Sequence, residues 1–142
     1  MVMEDDMVKK RKSGFSLMEL LIVIAIIGAL VAIAASSYSS AQKRSRDSRR
    51  SSDLKAMQNA WEQYYSDSSG VYPDVSTCTV STTYLPQGLP TDPKTGSAYT
   101  KTCTTSSYCI CATIENTGKG NASDTSCTFA SSGDYYCVKN LQ

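Results

Sequence analysis

The chain has 142 residues and a formal net charge of +1, so its length suggests one domain plus an anchor and its total charge is uninformative. It contains no histidine, which removes Ser-His-Asp and Cys-His catalysis and the commonest zinc ligand. No enzyme activity is expected, and no catalytic residue is assigned.

Residues 1–14, "MVMEDDMVKKRKSG", are polar, with acids at Glu4, Asp5 and Asp6 and bases at Lys9, Lys10, Arg11 and Lys12. Residues 15–35, "FSLMELLIVIAIIGALVAIAA", follow as an apolar run of 21. At ~1.5 Å per residue, a helix of that length crosses a ~30 Å hydrocarbon core. The preceding bases favour the cytoplasmic side, which sends the rest of the chain outward. A cleaved secretory signal is the alternative, since "AIAASS" offers small residues, but such apolar regions usually run only about 7–15 residues.

One ionisable side chain, Glu19, interrupts the run. A charge at the centre of a bilayer costs roughly 2.5–3.5 kcal/mol on insertion scales, so intramembrane carboxylates are functional candidates by default. Ser16 and Glu19 also fit the S-x-x-E capping box, in which the glutamate returns to the N–H of the serine. A first-turn carboxylate further suits the positive end of the helix dipole.

No proline interrupts the chain from Gly14 to Ser69, and past residue 35 the pattern becomes amphipathic. Leu54, Met57, Trp61 and Tyr64 or Tyr65 recur at steps of three and four, one helix face. The opposite face is expected to carry Arg49, Arg50, Asp53, Gln58 and Glu62, with Arg49–Asp53 as an i,i+4 pair. One helix is therefore predicted over residues 15–66, ended by Gly70 and Pro73. Its outer half, residues 36–70, is amphipathic.

Residues 71–142 differ in character. "CTVSTTYLPQGLPTDPKTGSAYT" is mainly loop. "SSYCICATIEN" alternates, with Tyr108, Ile110, Ala112 and Ile114 on one face and Cys109, Cys111 and Thr113 on the other. "DYYCVKNL" reads as a second strand, and a third falls near residues 99–103. Together these predict an α+β fold, a small antiparallel sheet packed on the Leu54–Trp61 stripe. Trp61, Tyr64 and Tyr65 are expected to be core rather than a ligand cage.

All six cysteines (Cys78, Cys103, Cys109, Cys111, Cys127 and Cys137) lie beyond the apolar run, which points to an oxidising compartment and disulfides. Six cysteines allow fifteen pairings, and spacing does not choose among them. A metal site is the alternative, although paired C-x-x-C spacing is lacking. Asn121-Ala122-Ser123 is a formal glycosylation sequon, read as chance.

"KSG" followed by "FSLMELLIVIAIIGALVAIAA" resembles the signal and N-terminal helix of type IV pilins and type II secretion pseudopilins, closely over residues 9–40. "LPTDPKTGSAYT" is similar to the proline–aspartate–proline loop before the first pseudopilin strand. The resemblance implies a filament-forming prepilin. A prepilin peptidase would cut between Gly14 and Phe15 and methylate the new Phe15 amine, removing residues 1–14 as a leader. Glu19 would pair with the amine of a neighbouring subunit. Implied partners are the peptidase, identical or related pilin subunits, an inner-membrane assembly platform, and membrane lipid before assembly. The implied location is the cytoplasmic membrane, then a pilus or pseudopilus. Relatives often carry a proline about two-thirds along the apolar helix. This chain has Ser36 there, with Gly28 and Ser37 as weaker aids to local melting. A membrane-anchored or secreted disulfide-rich binding domain is the rival function.

Two further features admit ligands. Lys43, Arg44, Arg46, Arg49 and Arg50 are the densest basic run after the span, a candidate contact for DNA or anionic lipid. The bland reading is a solvated helix or salt bridges between subunits. Some pseudopilins bind calcium in C-terminal loops, but "ENTGKGNASDTS" offers only Glu115 and Asp124 and lacks the D-x-[DN]-x-[DN]-G spacing. It reads as an ordinary turn, and no cofactor is otherwise implied.

Overall fold

The computed structural model describes residues 14–73 and 76–142, with the side chain of Ser36 also outside the described set. The acids and bases of residues 4–12 and the question of Ser36 therefore lie outside the described residues. Two compact units, Met1–Tyr38 and Ser39–Gln142, are each taken by themselves.

Helix α1 spans Leu17–Asp67. It begins two residues later than the apolar pattern predicts because Ser16 is its N-cap, leaving Phe15 outside. Its end is a Schellman-type turn. The Gly70 N–H bonds to the Tyr65 carbonyl at 3.1 Å, with Ser69 and Gly70 both left-handed (φ 59° and 78°).

Strands β1 (Thr100–Cys103), β2 (Tyr108–Thr113) and β3 (Tyr135–Lys139) form one antiparallel sheet in that order. The registers Thr102↔Cys109 and Cys111↔Cys137 fix which side chains share a face. Tyr108, Ile110 and Ala112 turn inward onto Leu54, Met57 and Trp61, as the alternation in β2 predicts. Full burial of each such large side chain stabilises by roughly 1.5–3 kcal/mol.

Trp61 anchors this core and stacks on Tyr108 at 5.8 Å between ring centroids. Its Nε1–H is the one buried side-chain polar atom without a partner among the described residues. That omission costs about 1–3 kcal/mol. Removing about 150–250 Å² of indole from water contributes roughly 4–6 kcal/mol, so burial wins.

The polar side of the outer helix differs from its prediction. Glu62 faces the sheet end. Its carboxylate accepts from Tyr72 Oη at 3.1 Å, Tyr108 Oη at 2.8 Å and the Leu141 N–H at 3.0 Å. Burial first, then the Glu62 carboxylate, pushes the Tyr72 hydroxyl up to about 12, so it stays a donor. Asp53 turns to Tyr99 Oη (2.8 Å) rather than to Arg49. Arg50, also placed on the exposed side, is only 3% exposed. Simple periodicity failed here because the neighbouring loops rise beyond the sheet and supply polar partners.

The sheet's outer face carries a second, covalent core of Cys111, Cys137 and Ala122, flanked by Cys109 and Cys127. The pairs are Cys78–Cys103, Cys109–Cys127 and Cys111–Cys137. They close intervals of 25, 18 and 26 residues, each contributing about 3 kcal/mol on a loop-entropy model. Three sulfurs, of Cys109, Cys111 and Cys127, lie within 4.8 Å of one another. All three are committed to S–S bonds, which leaves no thiolate for a metal.

The segment "GKGN" is more than a turn. Gly120 N–H bonds to the Gly133 carbonyl at 2.8 Å, and Asn121 N–H to the Tyr135 carbonyl at 2.9 Å. Asn121 of the formal sequon is committed too: it donates to the Cys137 carbonyl at 2.9 Å and accepts the Cys137 N–H at 2.7 Å. A Cβ on Gly133 would collide with the Ala122 carbonyl, whereas one on Gly118 meets open space. Gly133→Ala is thus expected to cost at least about 3 kcal/mol, against about 1 kcal/mol for Gly118→Ala, whose positive φ alone is strained. Denaturant melts of the two variants measure this; equal losses would refute the close-approach argument.

Candidate functional site

The N-terminal segment is built from the helix start. Ser16 Oγ accepts the Met18 N–H at 3.3 Å, and Glu19 Oε2 accepts the Ser16 N–H at 2.9 Å. This is the capping box, with the serine reaching the second helical residue rather than the third. One carboxylate site of about four is used, so Glu19 keeps acceptor capacity. Gly14 lies open, with nothing within 4 Å of a Cβ built on it, and Phe15 is 92% exposed.

From Leu17 through Ile33 the large apolar side chains are exposed as well. The helix contains an 18-residue window of mean hydropathy 2.8, none of it buried by this chain. It is long and apolar enough to cross a membrane. An exposed apolar surface of this extent fits membrane anchoring.

The basic run divides in two. Arg46 and Arg50 turn onto acids. Arg50 holds Asp92 with two bonds (Nε–Oδ2 2.6 Å, Nη2–Oδ1 3.1 Å) and gives Nη1 to Asp47 at 2.7 Å and to Glu115 at 3.1 Å. Arg46 grips Glu115 at 2.5 and 2.8 Å, and Lys94 adds a contact at 3.1 Å. Asp47 accepts the backbone N–H groups of Glu115 and Asn116 at 2.9 and 3.0 Å. Asp92 also caps its own turn, accepting from the N–H groups of Lys94 and Thr95. Lys43, Arg44 and Arg49 stay exposed.

These contacts set the electrostatics. The Arg50 guanidinium holds Asp92 well below the usual carboxylate range. The Arg46 hydrogen bonds lower Glu115 to about 2. Asp47 is lowered too: burial opposes its charge, but the N–H of Glu115 and the Asn116 side chain outweigh it. Of the two acids weighed for calcium, Glu115 is thus held by arginines, and Asp124 caps the Ser126 N–H at 2.8 Å. The network was missed because its acids, Asp92 and Glu115, lie 42 and 65 residues from Arg50 in sequence. The one readable signal was the aspartate between Thr91 and Pro93, a turn-former opposite a basic helix.

Comparison with known proteins agrees with the N-terminal geometry. Residues 9–35 match the model of the prokaryotic N-terminal methylation motif. Over 57 residues the chain is 44% identical to the type IV major pilin protein PilA of Myxococcus xanthus (strain DK1622), covering 40% of this chain and 26% of that protein. Over 67 residues it is 45% identical to the fimbrial protein EcpC of Eikenella corrodens, covering 47% of this chain and 43% of that one. The chain thus spans less than half the length of either of these relatives. No solved structure matches significantly. The chain is thus an α+β fold of one long helix and a small antiparallel sheet, with a match to the prokaryotic N-terminal methylation motif over residues 9–35.

Two outcomes follow for the charged network. Arg50→Ala leaves Asp92 half-buried without its cation and is expected to cost about 3–5 kcal/mol, with Arg50→Met/Asp92→Asn recovering part of it. Carboxylates depressed in the folded state stabilise it above their unfolded pKa of about 4 and lose that contribution as pH falls toward about 2. Melting temperatures of the full chain in detergent should therefore drop between pH 4 and 2, and less steeply in Asp92→Asn. A flat profile in the parent chain would contradict the assignment.

Proposed function

We propose that this chain is a prepilin, the precursor of a structural filament subunit. Residues 1–14 are its leader, residues 15–35 the membrane-spanning half of the helix, residues 36–70 the outer half, and residues 71–142 the disulfide-closed loop and sheet region. A prepilin peptidase cuts between Gly14 and Phe15 on the cytoplasmic side and methylates the Phe15 amine. The subunit waits in the cytoplasmic membrane and then joins like or related pilin subunits through an assembly platform in the membrane.

The observation that carries this reading is the matched motif at residues 9–35, with Glu19 the sole ionisable side chain of the apolar run 15–35. Cleavage places a cation four residues before Glu19. In low dielectric a lone carboxylate is costly, and a neighbour's amine offsets that cost only once the subunit is docked. Glu19 thereby favours insertion at one height. The capping bond does not conflict, because the carboxylate has further acceptor sites.

Pilin and fimbrial names among the relatives favour a type IV pilus. A secretion-type pseudopilus is the second assembly, favoured by the proline-flanked Asp92 loop that Arg50 holds. The reading assigns structural roles alone, with no cofactor.

Mass spectrometry of the mature protein tests the processing step. The expected chain starts at a methylated Phe15; an intact Met1 or a start after Ala35 would sink the proposal in favour of an anchored or secreted binding domain. Separately, Glu19→Val should insert normally yet give at least about tenfold fewer filaments. Undiminished filament yield would refute the pairing role.

A further inference from the structure

A cleft of about 660 Å³ opens between helix residues 40–51 and the loop after β2. Lys43, Arg44 and Lys119 line it, with hydroxyls from Ser40, Ser48 and Thr117. Asp47 and Glu115 also reach its wall, but their charges are already answered by Arg46, Arg50 and Lys94. Lys43, Arg44 and Lys119 have no ion pair among the described residues. Adding Asp92, and Asp134 where it accepts the Gly118 N–H at 2.9 Å, six bases and four acids share this region, a surplus of two positive charges. Such a surplus in a concave, half-walled space concentrates field and attracts anions.

We propose that this cleft binds the phosphate of an anionic phospholipid headgroup, the two helix bases and Lys119 clasping it and the hydroxyls serving the glycerol end. Three observations favour lipid over nucleic acid. Ser40, Lys43 and Arg44 follow Ala35, the end of the apolar run, by only five to nine positions in sequence. The inward turn of Arg46 and Arg50 removes the basic track that a polyphosphate backbone would need, leaving a site for one headgroup. The flanking hydroxyls match a polar headgroup better than a repeating phosphodiester. Surface bases near anionic membranes are each worth about fivefold in affinity, enough for three to select a headgroup.

The test uses the full chain purified in neutral detergent, titrated with phosphatidylglycerol or phosphatidylcholine and read by native mass spectrometry. The expected result is a clear preference for phosphatidylglycerol, reduced about fivefold by each of Lys43→Gln, Arg44→Gln and Lys119→Gln. Arg49→Gln, an exposed base outside the cleft, should leave it unchanged. Unchanged melting temperatures for all four variants certify the fold. No preference, or an equal loss in Arg49→Gln, would overturn the site. Displacement by inorganic phosphate at equal concentration would reassign it to a soluble anion, and a short DNA duplex binding more tightly than the lipid would overturn the lipid assignment. These readouts use no filament assembly, so they stand or fall apart from the prepilin reading.

Discussion

The Ser39–Gln142 unit is organised around one buried cation, Arg50. Arg50 sits where a helix, a proline-flanked turn and the exit loop of β2 converge, and its guanidinium is the right shape to bond all three. An ammonium there would hold one carboxylate as a point charge, whereas the planar fork grips Asp92 with two bonds and still reaches Asp47 and Glu115. Buried charge is costly unless fully partnered. The network meets that condition by sharing carboxylates among Arg46, Arg50 and Lys94 and by spending spare lone pairs on backbone N–H groups. Two irregular loops are thereby tied down by polar contacts beside the packing of Leu89 and Ile114.

Much of the architecture was legible before any coordinates. A helix that is apolar all round and then apolar on one stripe announces two environments for one element, and Leu54, Met57 and Trp61 are buried as their spacing required. In β2 the period of two separated tyrosine and isoleucine from cysteine, and those sets occupy opposite faces. These features were readable because they are local and repeat with the backbone's own period. The inward turn of Arg50 and Glu62 was not, because it depends on loops distant in sequence. Cysteine pairing was unreadable for the same reason.

The candidate site divides along the same line. Gly14, Phe15, Ser16 and Glu19 lie within six positions of one another, their proposed roles rest on the family resemblance, and the structure adds the capping geometry. The basic run was legible as a run and misleading as a unit. Two of its five members are structural, and only two of the rest meet a third base, Lys119, from 75 residues further on, in a shared cleft. Density of charge along a sequence does not reveal which bases face one another.

The disulfides have a mechanical meaning. In a filament subunit of the kind proposed, tension can lengthen the chain only by what it releases. The bridges Cys78–Cys103 and Cys111–Cys137 seal off 25 and 26 residues. Fully extended, each interval would span roughly 85–95 Å of contour. With both bonds closed, a pull can open the sheet but cannot draw out those lengths. About half of the Ser39–Gln142 unit is thus bypassed by covalent shunts, which limit how far it can be drawn out.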